Sequence, residues 1–333
     1  MLYLRYFFGI TIFILSCSNS DRLEHSDDQV IDPPRDFRQD MRDLVQNISM
    51  YAKNVNPDFS VVPQNGIELV TTSGNPDGTV ETGYLSSIDA NGQESLFYGY
   101  RSDNKASPRK ETEYTMELLE ISADYGNTIL VTDYVSTPSK VLDSYERNAQ
   151  LNFTSYAADK RELSSIPDFP RPIYGENADS VNHLREASNF LYLINYQEFS
   201  SKSQLLDSLG NTNYDILILD LFFNDTDALD LNDLEFLKQK KNGSKRIVLC
   251  YMSIGEAEDY RYYWSPEWKT NPPEWLRAEN PDWPGNYKVQ YWNPEWQEIL
   301  FGSPAAYLDR ILESGFDGVY LDIIDGFEYF ENN

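Results

Sequence analysis

Cysteine, histidine and positive charge are all scarce in this chain of 333 residues. With only Cys17 and Cys250, no disulfide framework can form, and Cys250 sits in the apolar run "RIVLCYMS", where a cysteine packs as a small core side chain. Both histidines, His25 and His183, fall outside every strand-like segment, which argues against a His-based zinc site. Lys and Arg number 27 against 54 Asp and Glu, a formal charge of −27. A phosphate backbone or anionic lipid surface would be repelled, so nucleic acid is not an expected partner. No glycine-rich phosphate cradle is present, and the serine-containing motifs lack a placed histidine, so neither nucleotide chemistry nor a serine triad is indicated. No metal and no cofactor are expected.

What the chain has is apolar and aromatic material: 41% hydrophobic and 14% aromatic residues, enough to bury a full core in one large domain or two ordinary ones. At the N-terminus, Arg5 precedes the run "YFFGITIFILS" and then Cys17, which reads as a targeting segment too short to span a bilayer comfortably. The "ILSC" ending resembles a bacterial lipobox, which implies removal of residues 1–16 and lipid attachment at Cys17, with an ordinary cleaved signal or a short anchor as the alternative. Residues 17–35 are polar, acidic and proline-marked, a flexible tether. A secreted or envelope-anchored protein is expected, touching a membrane only through that lipid.

From Asp36 onward the period of apolar residues predicts helices and strands in alternation. "DFRQDMRDLVQNISMYAKNVNP" carries Phe37, Met41, Leu44, Val45, Ile48 and Tyr51 on one helical face and stops at Asn56 and Pro57. Strands are predicted at Phe59 to Gln64, around Ser86 to Ala90, and at Thr128 to Asp133. After a Pro-, Ser- and Asp-rich loop from Ser164 to Asp179, five more follow: Phe190 to Tyr196, Tyr214 to Asp220, Arg246 to Ser253, Tyr287 to Trp292 and Gly318 to Asp322. Amphipathic runs such as "SQLLDSLG" and "AAYLDRILESG" separate some of them. This α/β pattern suits a (β/α)8 TIM barrel. Its last strand, "GVYLD", is followed by only a short acidic tail, and in a closed ring the helix "DFRQDMRDLVQNISMYAKN" at the other end of the chain can cover it. Two smaller α/β domains joined near Ser164 are the alternative.

Breaking a glycosidic bond takes one carboxyl to protonate the leaving oxygen and a second to act as nucleophile or to activate water. Acids recur at predicted strand ends here: Asp133, Asp220, Glu256, Asp322 and Asp325, with Glu94 in the loop after the second strand. A carboxylate in such a place also serves to cap a helix or to pair with a base. Tyr262, Tyr263, Trp264, Trp268, Trp275, Trp283, Tyr291 and Trp292 crowd one region, where exposed rings could stack on sugar and buried ones would fill the core.

The segments "YMSIGEAEDYRYYW", "NPDWPGNYKVQYWNPEWQ" and "GFDGVYLDIIDGFEYF" resemble successive signatures of the endo-α-1,4-polygalactosaminidases, glycoside hydrolase family 114. "YAKNVNPDFSVVPQNGIELV", "YLSSIDANGQESLFYGY" and "ILVTDYVSTPSKV" resemble the later half of the same family, which here comes first. The resemblance implies a circularly permuted barrel over residues 36–333, with residues 36–163 the later half, 164–185 a joining loop and 186–333 the earlier half. It implies a galactosamine-rich, cationic polysaccharide as substrate, and Asp322 and Glu94 as the catalytic pair. Asp220, Glu256, Asp325 and Asp133, with Asn65, Tyr196, Tyr291 and Trp292, are expected to contact the sugar. Gln290 and Asn293 stand where an acid and a base would be expected, which favours a second reading, a non-catalytic carbohydrate-binding lipoprotein. A monomer is expected.

Overall fold

A computed structural model describes residues 35–224 and 226–332. The expected signal segment, the lipidated Cys17 and all of the tether but Arg35 lie outside the described residues. The first element, α1 (Phe37–Val55), begins where the Asp36 side chain accepts the Gln39 N–H at 2.9 Å, and it buries Met41, Leu44, Val45, Ile48 and Ala52 on the stripe its sequence predicts. In chain order there follow β1 (Ser60–Pro63), α2 (Thr82–Ser87), β2 (Ala90–Glu94), α3 (Arg109–Asp124), β3 (Thr128–Tyr134), α4 (Pro138–Gln150) and β4 (Thr154–Ala158). The second half contributes β5 (Phe190–Leu193), α5 (Lys202–Gly210), β6 (Ile216–Leu219), α6 (Leu231–Leu237), β7 (Ile247–Ser253), β8 (Glu256–Glu258), β9 (Leu276–Glu279) and β10 (Asn286–Val289). It ends with α7 (Pro294–Leu300), α8 (Tyr307–Ser314), β11 (Gly318–Asp322) and α9 (Phe327–Glu331).

Two parallel sheets carry the core. One has the order β1-β11-β7-β6-β5 and the other β2-β3-β4. A single parallel bridge, Gln64 to Gly92, joins β1 to β2, and among the described residues no ladder joins β4 to β5, although the Thr154 hydroxyl donates to the Ala187 carbonyl just before β5 at 3.0 Å. The arrangement is an α/β fold compatible with a TIM-type barrel. Residues paired across a parallel ladder share a face, so Tyr320 lies level with Tyr251 and Val62, and Tyr192 with Ile218. All five are buried, and the tyrosines are among the largest side chains in the interior.

Head and tail of this unit are neighbours. β1 pairs with β11 along its length, from Ser60 against Gly318 to Pro63 against Leu321. Helix α1 meets α9, with the Phe37 and Phe330 rings 5.5 Å apart and Arg38 paired to Glu331 at 2.8 Å, while Tyr51 donates to Asp309 at 2.6 Å.

Two strand predictions need correction. "YKVQYW" does not join the parallel sheets: β10 pairs antiparallel with β8 and β9 in a separate three-stranded sheet, and three of its four residues are half-exposed. Its place is taken by β4, "TSYAA", whose small and polar residues give no strong apolar run yet lie inward of Thr154 fully buried. The second strand is also displaced, since Ser86 and Ser87 close α2 and the strand is "ANGQE".

Candidate active site

A cleft of about 880 Å3 opens at the C-terminal ends of the parallel strands. That is where loops of such folds carry their chemistry, because the strands end there and side chains from distant parts of the chain converge. Glu94, the last residue of β2, and Asp322, the last of β11, both line it.

Each carboxylate is held by its own donors. Asn65, just past β1 in a left-handed conformation, donates from Nδ2 to Glu94 Oε2 at 2.8 Å and accepts the Glu94 N–H at 3.0 Å. The Tyr134 hydroxyl, at the end of β3, donates to Glu94 Oε1. Asp322 accepts the Tyr251 hydroxyl at 2.9 Å and the N–H of Ile323, which is itself left-handed at φ 60°. Burial pushes the Asp322 carboxyl well above the usual carboxylate range, and the negative charge of Glu94 raises it further, outweighing those two donors. Asp325 lines the same cleft and is pushed up to about 7, first by burial and then by Glu328, against a downward pull from Lys288.

The remaining sites expected from sequence divide. Asn65 and Tyr196 line the cleft; Tyr196 lies parallel to Phe223 and donates to the Asp220 carbonyl at 2.8 Å. Asp220 also lines it, but its two oxygens take the Arg261 guanidinium at 2.9 and 2.7 Å, and Arg261 binds Glu258 through Nε at 2.5 Å. In this buried triad both acids are held by one guanidinium, so neither Asp220 nor Glu258 is a free acid.

Four expectations are corrected. Asp133 is fully buried outside the cleft, where it accepts the N–H groups of Phe97 and Tyr98 and the Ser144 hydroxyl, so it pins the loop after β2 to α4. Glu256 is fully buried behind the cleft wall; its Oε1 holds Lys288 at 2.5 Å and Asn280 at 2.8 Å, and those two line the cleft. Tyr291 is buried and donates to the Phe37 carbonyl at 2.8 Å, and Trp292 packs on Phe37 and Phe330, so both rings build the seat of α1. Of the aromatic group singled out in the sequence, Trp283 lines the cleft and is 49% exposed, while Trp275 and Tyr291 are core.

Sequence reasoning missed Tyr134, Arg161, Tyr251, Tyr260, Arg261 and Lys288 in the cleft. Tyr134 and Tyr251 carried a usable signal, each lying on a predicted strand near its C-terminal end. Tyr260, Arg261 and Lys288 lie between β7 and α7, a region whose hairpin geometry the apolar period does not reveal. Gln290 and Asn293 are not in the cleft; Asn293 caps α7 by accepting the Glu295 N–H at 2.8 Å. Among the described residues no helix is long and apolar enough to cross a membrane.

Curated relatives match parts of the chain. An uncharacterized protein of Methanocaldococcus jannaschii, MJ1477, is 43% identical over 158 residues, 47% of this chain and 43% of its own. An uncharacterized protein of Thermotoga maritima is 56% identical over 84 residues, 25% of each chain, and one of Deinococcus radiodurans is 38% identical over 127 residues, 38% of each. The matches thus span less than half the length of these relatives. Residues 190–333 match the model of glycoside-hydrolase family GH114, and this stretch, which contains Asp220, Tyr251 and Asp322, supports a glycoside hydrolase.

Proposed function

We propose that this protein hydrolyses an α-1,4-linked, galactosamine-rich polysaccharide with Asp322 as the general acid and Glu94 as the nucleophile or base. The observation that carries the proposal is that two carboxylates far apart in the chain line one cleft, and that burial and the charge of Glu94 drive Asp322 toward its protonated form. A carboxyl biased toward its protonated form is what a leaving glycosidic oxygen requires. Glu94, with both oxygens accepting hydrogen bonds, presents lone pairs in a fixed direction.

A cationic sugar suits the lining. Among the described residues seven carboxylates border the cleft against three bases, and Arg161, Arg261 and Lys288 are each already engaged by an acid, Asp103, Asp220 and Glu256 respectively. Half-exposed Tyr260 and Trp283 supply rings on which a pyranose can stack. The eight parallel strands are read as one ring, permuted so that α1 covers the junction of β11 and β1; the pairing of β1 with β11 and the α1–α9 contacts support this. Secretion and a lipid at Cys17 complete the proposal. The non-catalytic reading loses the support it drew from Gln290 and Asn293, since neither reaches the cleft.

Incubation of the mature protein with a partly deacetylated α-1,4-galactosamine polymer tests this. Released oligosaccharides that disappear in Asp322→Asn are expected; no release by the wild type, or undiminished release by the variant, overturns it.

A further inference from the structure

Beneath the carboxylates that line the cleft, and not itself lining it, lies a polar group that the catalytic proposal leaves unused. Tyr320, on β11 two residues before Asp322, is fully buried and its hydroxyl has no hydrogen-bond partner among the described residues. A buried hydroxyl left unpaired is costly, about 1–3 kcal/mol, and such groups in native proteins are normally satisfied by protein or by ordered water. The side chain reaches across β1 to β2, where an added Cβ at Gly92 would fall 2.1 Å from its oxygen. Residue 92 must therefore be glycine for Tyr320 to occupy this position. Gly92 lies one inward-facing step below Glu94. Thr132, paired level with Glu94 across the β2–β3 ladder, carries a second buried hydroxyl without a partner among the described residues. Tyr192, which does line the cleft, is edge-on to Tyr320 at 5.1 Å, but its hydroxyl donates to Gln64 at 3.0 Å. The charged groups facing Tyr320 are Glu94 and Asp322, and their charges help hold its hydroxyl in the neutral, donating form, which burial chiefly enforces.

We propose that Tyr320 is a positioning residue for the reacting pair: its hydroxyl donates to the underside of the Glu94 and Asp322 carboxylates through one water molecule shared with Thr132. Two hydroxyls and two carboxylates supply the two to four polar partners that a buried water needs. The oriented donor steadies whichever carboxylate bears the charge, and Gly92 is the residue that makes room for it. The inference rests on reading Glu94 and Asp322 as the reacting pair, but its test does not need turnover.

Tyr320→Phe removes the hydroxyl alone. The two carboxyls are followed by NMR titration of protein labelled with 13C at the Asp and Glu side-chain carboxyl carbons, assigned with Asp322→Asn and Glu94→Gln. Loss of a donor to an anion shifts its titration to higher pH, here by about one pH unit for Asp322 or Glu94. The same direction with a smaller shift is expected for Thr132→Val, which decides the matter if Tyr320→Phe does not fold. Unchanged midpoints in the folded variant, whatever its stability, overturn the proposal. Failure of the wild type to cleave polysaccharide would refute the enzymatic reading while leaving these midpoints as the answer here.

Discussion

Asp325→Asn isolates the cost of holding a carboxyl in this cleft. The Asp325 carboxyl moves from 3.8 to about 7 because burial and the charge of Glu328 oppose its ionisation. An acid whose folded value lies above its unfolded one binds its proton more tightly when folded. Its contribution to stability is therefore fully present below about pH 4 and is lost as pH rises through about 7. A shift of about three units at about 1.4 kcal/mol per unit makes that loss about 4 kcal/mol, a large part of the 5–15 kcal/mol that keeps a typical domain folded. Asparagine has the same shape and no charge to lose. Urea unfolding near pH 4 and near pH 8 should show Asp325→Asn matching the wild type at the acid end and exceeding it by about 3–4 kcal/mol at the alkaline end. Parallel stability curves for the two proteins across that range would refute the reasoning.

Other outcomes follow from the same geometry. Asp322→Asn and Glu94→Gln should each lower the rate of polymer hydrolysis by at least about a thousandfold with polymer binding retained, measured by reducing-end release and by calorimetry; loss of binding with unchanged turnover would contradict their roles. Hydrolysis should fall as pH rises through the elevated Asp322 value, because the proton the leaving oxygen needs is then gone, so a profile that keeps rising with pH counts against Asp322 as the acid. Tyr134→Phe, which takes one donor from Glu94, should cost about tenfold in kcat with little change in KM, and an effect confined to KM would place the tyrosine in binding instead. Asp133→Ala should leave the cleft lining intact but destabilise the fold by about 3 kcal/mol, since it strands the buried N–H groups of Phe97 and Tyr98; wild-type stability in thermal melts would show the pin to be unimportant.

The amino-acid sequence by itself determined the parts that depend on local period and punctuation. Helix α1, from its Asp36 cap to its stop at Asn56, and the buried strands "ILIL" and "GVYLD" are written in apolar spacing, because a face that must be buried repeats with the period of its own element. Strand-end position and likeness to known signatures were enough to select Asp322, Glu94, Asn65 and Tyr196, all of which line the cleft. Tertiary structure decided the rest. "TSYAA" is a core strand because the chain packed around it buries four of its five residues, whereas "YKVQ" stays partly exposed because it lies in a separate three-stranded sheet outside the parallel core. "ANGQE" tolerates a mid-strand glycine because Tyr320 fills the space from another strand. Asp220 and Asp133 look alike in the chain, each an acid at the end of an apolar run, yet one is held by Arg261 and the other by backbone N–H groups. Those partners lie far away in sequence, and a carboxylate's role is set by what surrounds it in space, which no local spacing records.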